Sequence, residues 1–344
     1  MKRVIYPIVT ICLVFLVQGL HCQQLDLSTL YRYNWQILNP AAINHLYLED
    51  NSNRKQYVFN ATFRRQWIGF EGAPTTYNAR FEYMPKANSN EVSPIKVGFF
   101  ASGDQAGAIN TNKFFGNFAY LIYFNRSTLA ESYLSVGLNV GLVRYNVDIN
   151  EIRFQEQQNN IPVDGVLNQA YADMALGCFF RKKTYDPYYL PTFGIAEVYA
   201  GISVPQTFTM DLSQTDDGAF DLKRVQHFYL ITGGVLTINS KLLLEPSLWV
   251  RYLPNGSFQT LFDNTPVSGD LNMRLQYKNK VWAGVGASTN RLLHFEAGFT
   301  LGQGEQSQDC KNYLMNLGFA YDAPVGWNSW LGPSAEISLG IGWE

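Results

Sequence analysis

The sequence predicts an all-β protein, a transmembrane antiparallel outer-membrane β-barrel of about 14 strands. Three observations lead to this fold class. The chain begins with a string typical of a signal peptide, short segments of alternating apolar and polar residues recur along the remainder, and no later apolar run approaches the roughly 18 residues of a membrane-spanning helix. A closed barrel is then the structure that satisfies every backbone polar group in lipid.

The signal peptide is indicated by the basic string MKR and the apolar run over residues 4–17, which is too short to span a bilayer as a helix. Cleavage is predicted after Cys22; the alternative is a lipid-modified Cys22, which the preceding His21 fits poorly. We therefore predict three parts: a signal peptide (1–22), a periplasmic N-terminal segment (23–56) and an outer-membrane β-barrel (57–344). The middle part would lie at the periplasmic side or enter the lumen.

The composition argues against a nucleic-acid partner. Only 16% of the 344 residues are charged, the formal net charge is -2, and no basic face with interleaved aromatic residues is present. Of the four cysteines, Cys178 and Cys310 remain after the signal peptide, and they predict two unpaired thiols, with a single bridge between them as the alternative.

The alternating segments carry the strand prediction. Leu271, Met273 and Leu275 alternate with polar residues, and this period of two suits only a strand. Such runs of about 9 to 13 residues match tilted strands that cross hydrocarbon, and single-chain bacterial barrels require an even number of them. The predicted strands begin near residues 57, 76, 94, 112, 131, 172, 192, 224, 241, 270, 280, 291, 311 and 333.

The two faces of these strands differ in charge, which favours a membrane barrel over a soluble β-protein. One face is almost free of charge and would meet lipid. The other would line the lumen, where its charges need partners and would pair with one another, as in Arg80 with Glu82 or Glu245 with Arg251. The charged residues of this face include Arg64, Arg80, Glu82, Glu197, Glu245, Arg251, Arg274 and Glu296.

Connector lengths predict an orientation. If the first strand runs outward from the periplasm, tight turns near Asn239 and Asn279 fall inside and the long connectors fall on the cell surface. A two-residue turn at Asn239 and Ser240 would pair Val235 with Leu244 and Ile231 with Leu248, all on the apolar face. The long connectors are near residues 145–171, 204–223, 253–269 and 322–332, and the connectors near 289–291 and 302–310 do not follow the rule.

The stretch RRQWIGFEGAPTTYNARFEY, residues 64–83, joins the first two predicted strands. Because strand neighbours alternate, Arg64 is expected to point into the lumen and Arg65 outward or toward the rim. In one interpretation Arg65, Gln66 and Trp67 form a docking edge for a partner chain, and Gly69, Gly72 and Pro74 shape the loop. In the other, Trp67 anchors the barrel in the membrane interface and the glycines serve the turn.

Two strings carry a resemblance: YNWQILNPA at residues 33–41 and RQWIGFEGAPTT at residues 65–76. With them the chain resembles the PorP/SprF family, outer-membrane proteins tied to the type IX secretion system and gliding motility of Bacteroidota. The resemblance extends over nearly all of the mature chain. The resemblance identifies as family-motif or partner-binding residues Asn39, Pro40, Arg65, Gln66, Trp67, Gly69, Gly72 and Pro74.

The resemblance implies a non-catalytic component or accessory of the secretion or gliding machinery that supports export or surface anchoring of secreted proteins such as adhesins. Its partners would be outer-membrane lipid and either type IX secretion components or a secreted surface protein. The alternative is a diffusion porin for small solutes.

No catalytic, cofactor or metal site is predicted. Ser288 and His294 share the inward face, yet His294 should face Gly286, which leaves Ser288 only diagonal, and no Gly-x-Ser-x-Gly elbow occurs. His45, His227 and His294 have no metal-ligand spacing, and the carboxylates form no calcium loop.

Overall fold

A computed structural model describes residues 28–43, 55–88, 91–126, 130–148, 166–184, 193–207, 210–211, 223–224, 226–254, 256–261, 263–278, 280–302, 313–326 and 332–343. Fourteen strands pair in chain order into one closed antiparallel barrel. They are β1 (Tyr57–Arg65), β2 (Thr75–Tyr83), β3 (Ile95–Ala106), β4 (Ile109–Arg126), β5 (Glu131–Asp148), β6 (Val166–Lys183), β7 (Gly194–Gln206), β8 (His227–Asn239), β9 (Leu242–Tyr252), β10 (Val267–Tyr277), β11 (Val281–Ser288), β12 (Leu292–Leu301), β13 (Tyr313–Pro324) and β14 (Ser334–Trp343).

The first and last strands close the barrel. β1 pairs with β14 along its whole length, from Tyr57 opposite Trp343 to Arg65 opposite Ala335. The predicted fold class and strand number are confirmed, and the largest error in a predicted start is at β6, which begins at Val166 rather than near residue 172. Three small hairpins extend the connectors: Lys86–Asn88 with Glu91–Val92, Met210–Asp211 with Lys223–Arg224, and Phe258–Thr260 with Asp263–Thr265.

The side chains alternate as the pattern predicts. On β10, Leu271 and Met273 are exposed on the outer surface, whereas Asn272 and Arg274 are buried inside the barrel. Because a strand turns successive side chains to opposite faces, this period of two produces an apolar exterior and a polar interior.

One predicted register is wrong. β8 pairs Leu236 with Leu244 and Ile231 with Trp249, and a bulge lies between Thr237 and Asn239. A bulge adds one residue to one strand, and a shift of one residue moves side chains to the other face. Ile231 therefore lies inside the barrel and packs in one buried cluster with Trp249.

The connectors divide the barrel into two ends. The strand ends that flank residues 66–74, 149–165, 207–226, 253–266 and 325–333 lie at what we call the long-loop end, together with tight connectors at 107–108 and 289–291. The turns at 240–241 and 278–280 lie at the opposite end, which we call the turn end. The predicted placement of the long-loop end at the cell surface stays a prediction.

Residues 28–43 lie inside the barrel, and we call them the plug. They form a short 3-10 helix (Tyr31–Asn34) followed by one turn of α-helix, α1 (Trp35–Leu38). Thr29 contacts Asp322 and Glu336 near the long-loop end, whereas Ile43 packs with Val58 and Leu314 near the turn end. The plug therefore runs along the lumen from one end toward the other. Within the predicted segment 23–56, residues 23–27 and 44–54 lie outside the described residues.

Among the described residues, no helix has the length and apolar character needed to cross a bilayer.

Candidate functional site: the plug and the lumen wall

An ionic cluster holds the plug near the long-loop end. Arg64 on β1 pairs with Asp322 on β13 at 2.6 Å and with Glu336 on β14 at 3.2 Å. Thr29 of the plug donates from its backbone N–H to Glu336 at 2.8 Å and from its hydroxyl to Asp322 at 2.6 Å. All of these groups are buried, so the two carboxylates that neutralise Arg64 also bind the plug. As predicted, Arg64 points into the lumen while Arg65 is exposed.

His294 extends this cluster across the wall. Its Nδ1 lies 2.8 Å from Asp322 and its Nε2 lies 3.2 Å from Asp270, which also pairs with Arg251. Because both ring nitrogens face carboxylates, the geometry suits an imidazole that donates from both, the positively charged form. The register with Gly286 is as predicted, and the Ser288 hydroxyl accepts the N–H of Asn290. His294 is thus held between two carboxylates rather than directed at a nucleophile.

A second ionic cluster surrounds Arg32 of the plug. Arg32 pairs with Glu296 at 3.2 Å and donates to the Ser247 hydroxyl at 2.7 Å. Glu296 also pairs with Arg274 at 3.0 Å, and Arg274 lies over the Trp282 ring at 3.8 Å. The Glu296 carboxylate therefore joins one plug cation to one wall cation.

The predicted pairing of charges within the lumen is partly right. Arg80 and Glu82 pair at 3.0 Å, as expected. Glu245 and Arg251 do not pair with each other: Arg251 binds Asp270, and Glu245 lies 3.9 Å from Arg32. Residues six apart on one strand are separated by roughly 20 Å, whereas cross-strand neighbours are about 5 Å apart.

Aromatic side chains pack the middle of the plug. Trp35 lies against Phe179 and Tyr199, with ring centroids 5.4 and 4.9 Å away. Tyr31 packs against Trp249 at 5.6 Å. All five rings are buried in one cluster, and each such pair contributes about 0.5–1.5 kcal/mol beyond the area that it buries.

Main-chain carbonyls bind the second half of the plug to the wall. Ser203 donates to the Leu38 oxygen at 2.6 Å, and Lys96 donates to the Ala42 oxygen at 2.6 Å. The Pro40 oxygen accepts from Asn117 at 3.0 Å and from Lys96 at 3.3 Å. The wall therefore binds this half of the plug largely through the main-chain oxygens of the plug.

Asn39 fits a groove made by glycines of three neighbouring strands. Its amide donates to the backbone oxygens of Cys178 at 3.1 Å and Ile202 at 3.2 Å. A Cβ atom at Gly177 would lie 2.1 Å from Asn39 Oδ1, and one at Gly201 would lie 2.8 Å from Asn39 Nδ2. At Gly137 a Cβ atom would lie 2.4 Å from the Ala41 nitrogen, so the plug can approach only because these side chains are missing.

A family model described as the type IX secretion system membrane protein PorP/SprF matches residues 20–341. The chain belongs to the PorP/SprF family. The match covers nearly the whole sequence, and with the barrel fold it assigns the protein to the bacterial outer membrane. The family and the fold are those of a secretion-system barrel rather than those of known enzymes.

Several solved outer-membrane proteins resemble this PorP/SprF protein over most of both chains. The toluene transporter TodX from Pseudomonas putida has a TM-score of 0.48 and 10% identity, over 90% of this chain and 93% of that chain. The toluene transporter TbuX from Ralstonia pickettii has a TM-score of 0.46 and 10% identity, over 90% and 92%. The CymD monoaromatic hydrocarbon channel has a TM-score of 0.43 and 11% identity, over 93% of both chains. At these similarities no function is carried over, and no curated protein matches the sequence.

The predicted motif residues of this PorP/SprF protein lie in two places. Asn39 and Pro40 are in the lumen, as described above. Arg65 is the last residue of β1, and the others lie in the loop that follows it, at the long-loop end. There the Gln66 N–H donates to the Pro74 oxygen at 2.9 Å, and the Gly72 oxygen accepts the N–H of Gly107 at 2.9 Å.

Trp67 stands out within this loop. Its φ of 46° is in the left-handed region, which is a rare conformation for a bulky residue, and the loop continues through Gly69 at φ 108° and Gly72 at φ 73°. The Ile68 N–H donates to the Pro333 oxygen at 2.7 Å, which ties the loop to the connector before β14. The Trp67 side chain is 36% exposed.

The plug residues that bind the wall were not predicted as a site from the sequence. Thr29, Tyr31, Arg32 and Trp35 precede the first strand and match no catalytic or metal motif. A signal was available in the inward-facing Gly137, since a glycine in the middle of a strand often marks the close approach of another backbone.

A small cavity remains between plug and wall. Its volume is about 30 Å³, which is room for about one or two water molecules, and residues including Ile37, Leu38, Phe100, Phe115 and Tyr229 line it. Among the described residues, no group of three His, Cys, Asp or Glu side chains could hold a metal ion. Cys178 lies half-buried on β6, and Cys310 lies outside the described residues.

Proposed function

We propose that this protein is a non-catalytic outer-membrane component or accessory of the type IX secretion or gliding machinery, which supports export or surface anchoring of secreted proteins such as adhesins. The observation that carries this proposal is the family match over residues 20–341.

The packed lumen supports a holding role over free diffusion. Ten of the buried side chains that fill the barrel belong to one cluster that spans the plug and four wall strands, including Trp35, Phe179 and Trp249. A porin needs a continuous aqueous lumen, whereas the plug runs along this one with its side chains buried against the wall. These contacts weigh against the porin alternative.

A docking edge at the long-loop end is part of this proposal. Arg65 and Trp67 would meet a partner chain, and Gly69, Gly72 and Pro74 would shape the loop. Gln66, predicted as part of this edge, is buried at 3% exposure and would hold the loop rather than meet the partner. Support comes from the exposed apolar side chains of Trp67, Ile68 and Phe70 and from the backbone strain at Trp67, because strained residues cluster at functional sites. Asn39 is fully buried, so we assign Asn39 and Pro40 to holding the plug rather than to a partner.

We further propose that the outer face meets lipid. Large apolar side chains are exposed on it along many strands, which would be unfavourable in water but suits hydrocarbon. They include Phe99, Phe114, Leu142, Ile202, Leu271, Val285 and Phe295.

Two experiments test the proposal. Capture of the tagged protein from mild detergent should recover a type IX secretion component or a large exported surface protein. Recovery of the barrel alone would count against the role. Planar-bilayer recordings should give no steady conductance, and a steady ohmic current would favour the porin.

A further inference from the structure

We propose that the plug is displaceable, and that the lumen wall beneath it is a binding site for a polypeptide segment, which residues 28–43 occupy in this structure. The inference rests on the closed lumen of the proposed function and not on the identity of any partner.

The wall is complete without the plug. All fourteen strands pair with one another in a closed ring, and the plug contributes none of them. A closed barrel has no free edge, so release of the plug would expose no unpaired strand backbone.

The wall charges also have partners of their own. Arg64 pairs with Asp322 and Glu336, and Arg274 pairs with Glu296, all on strands of the wall. The plug carries a single charged residue, Arg32. Loss of the plug would therefore leave these wall cations paired in a wet lumen, so the large penalty of stranding a buried charge is avoided.

The contacts to the plug are those of a peptide-binding site. Wall side chains donate to main-chain oxygens of Leu38, Pro40 and Ala42, which any polypeptide presents. Selectivity comes from three places: Glu296 receives an arginine, the Phe179 and Tyr199 rings receive a tryptophan, and the glycine groove receives an Asn-Pro turn.

The glycines of the groove are not required by a turn or by a left-handed backbone in the wall. Gly137, Gly177 and Gly201 lie in the middle of strands with no left-handed φ, where glycine weakens a strand. An added Cβ atom at any of the three would collide with Asn39, Pro40 or Ala41, although at Gly201 it would also lie 2.5 Å from the Phe179 ring of the wall. The wall is thus shaped to accommodate a chain that lies in the lumen. The chain that it fits has an Asn-Pro turn, aromatic side chains and one positive charge.

The test is planar-bilayer conductance of the full-length protein with a weakened plug and an intact wall. Arg32→Glu places a negative charge beside Glu296 and Glu245. The wild type is expected to stay closed, and Arg32→Glu is expected to raise the open probability at least about tenfold, since breaking a buried ion pair exceeds what a tenfold shift in an equilibrium requires. Lys241→Glu makes the same charge change at an exposed turn and is expected to stay closed.

A synthetic peptide then tests the binding site itself. The peptide STLYRYNWQILNPAAI, which has the sequence of residues 28–43, should close the Arg32→Glu channel when it is added in solution, and a scrambled peptide should not. Trp35→Ala gives a second weakened plug should Arg32→Glu fail to insert, and heat-modifiable migration in gels shows that each variant is folded.

Three results have distinct meanings. Folded Arg32→Glu and Trp35→Ala proteins that both stay closed would overturn the proposal and make the plug a fixed part of the core. Channels that open but ignore the peptide would overturn the binding site. Steady conductance of the wild type would instead overturn the closed lumen on which the proposed function depends.

Discussion

Gly177 on the lumen wall and Asn39 in the plug fit together so closely that a Cβ atom at Gly177 would lie 2.1 Å from Asn39 Oδ1. Asn39 in turn donates to the backbone oxygens of Cys178 and Ile202 on two adjacent strands. The lack of a side chain at Gly177 thus allows the plug, which lies more than a hundred residues earlier in the sequence, to follow this path.

Gly177→Ala is expected to destabilise the protein by about 1–3 kcal/mol, because the methyl group overpacks the groove and displaces Asn39. The free energy of unfolding in urea, measured in lipid, checks this. Gly116→Ala is the control, since a Cβ atom there would meet nothing nearer than the Val140 oxygen at 3.8 Å. Equal effects of the two substitutions would contradict the groove.

Arg64→Ala is expected to cost about 3–5 kcal/mol, because it leaves the buried carboxylate of Glu336 without its cation and leaves Asp322 with His294 alone. The neighbouring Arg65→Ala is expected to change the free energy of unfolding by less than about 0.5 kcal/mol, since Arg65 is exposed. Urea unfolding of both variants in the same lipid is the measurement. A small effect of Arg64→Ala would mean that water reaches the cluster.

Val285→Arg and Val281→Arg test the lipid-facing surface within one strand. The two valines are 57% and 50% exposed, but Val285 lies in the middle of β11 and Val281 at its end. Arginine costs about 2–4 kcal/mol at the bilayer midplane and about 0–1 kcal/mol near the interface. Unfolding in lipid should therefore separate the two variants, and equal costs would argue that this face does not meet hydrocarbon.

Trp67→Ala is expected to reduce capture of the partner protein at least about tenfold, because exposed tryptophans in interfaces often carry 2 kcal/mol or more of binding energy. The barrel should remain folded, since the side chain lies at the rim. Quantitative pull-down with Phe193→Ala as the control, an exposed aromatic at the turn end, gives the comparison. Undiminished capture by Trp67→Ala would favour the membrane-anchor interpretation of Trp67.

The sequence by itself determined the barrel. Alternation with a period of two is a local property of each strand, so it predicted fourteen strands, the lumenal position of Arg64 and the register of His294 with Gly286. The family could also be identified from the sequence, because the most specific motif, at residues 65–76, is a contiguous stretch.

The tertiary structure alone decided how the lumen is filled. The contact of Ser28 with Glu336 joins residues 308 positions apart, and no local pattern records such a pairing. The same reason explains why the predicted pairing of Arg251 with Glu245 is wrong. The actual partner, Asp270, lies on the next strand. The face of Ile231 depended on a single bulge that shifts the register of β8, which the period of two does not reveal.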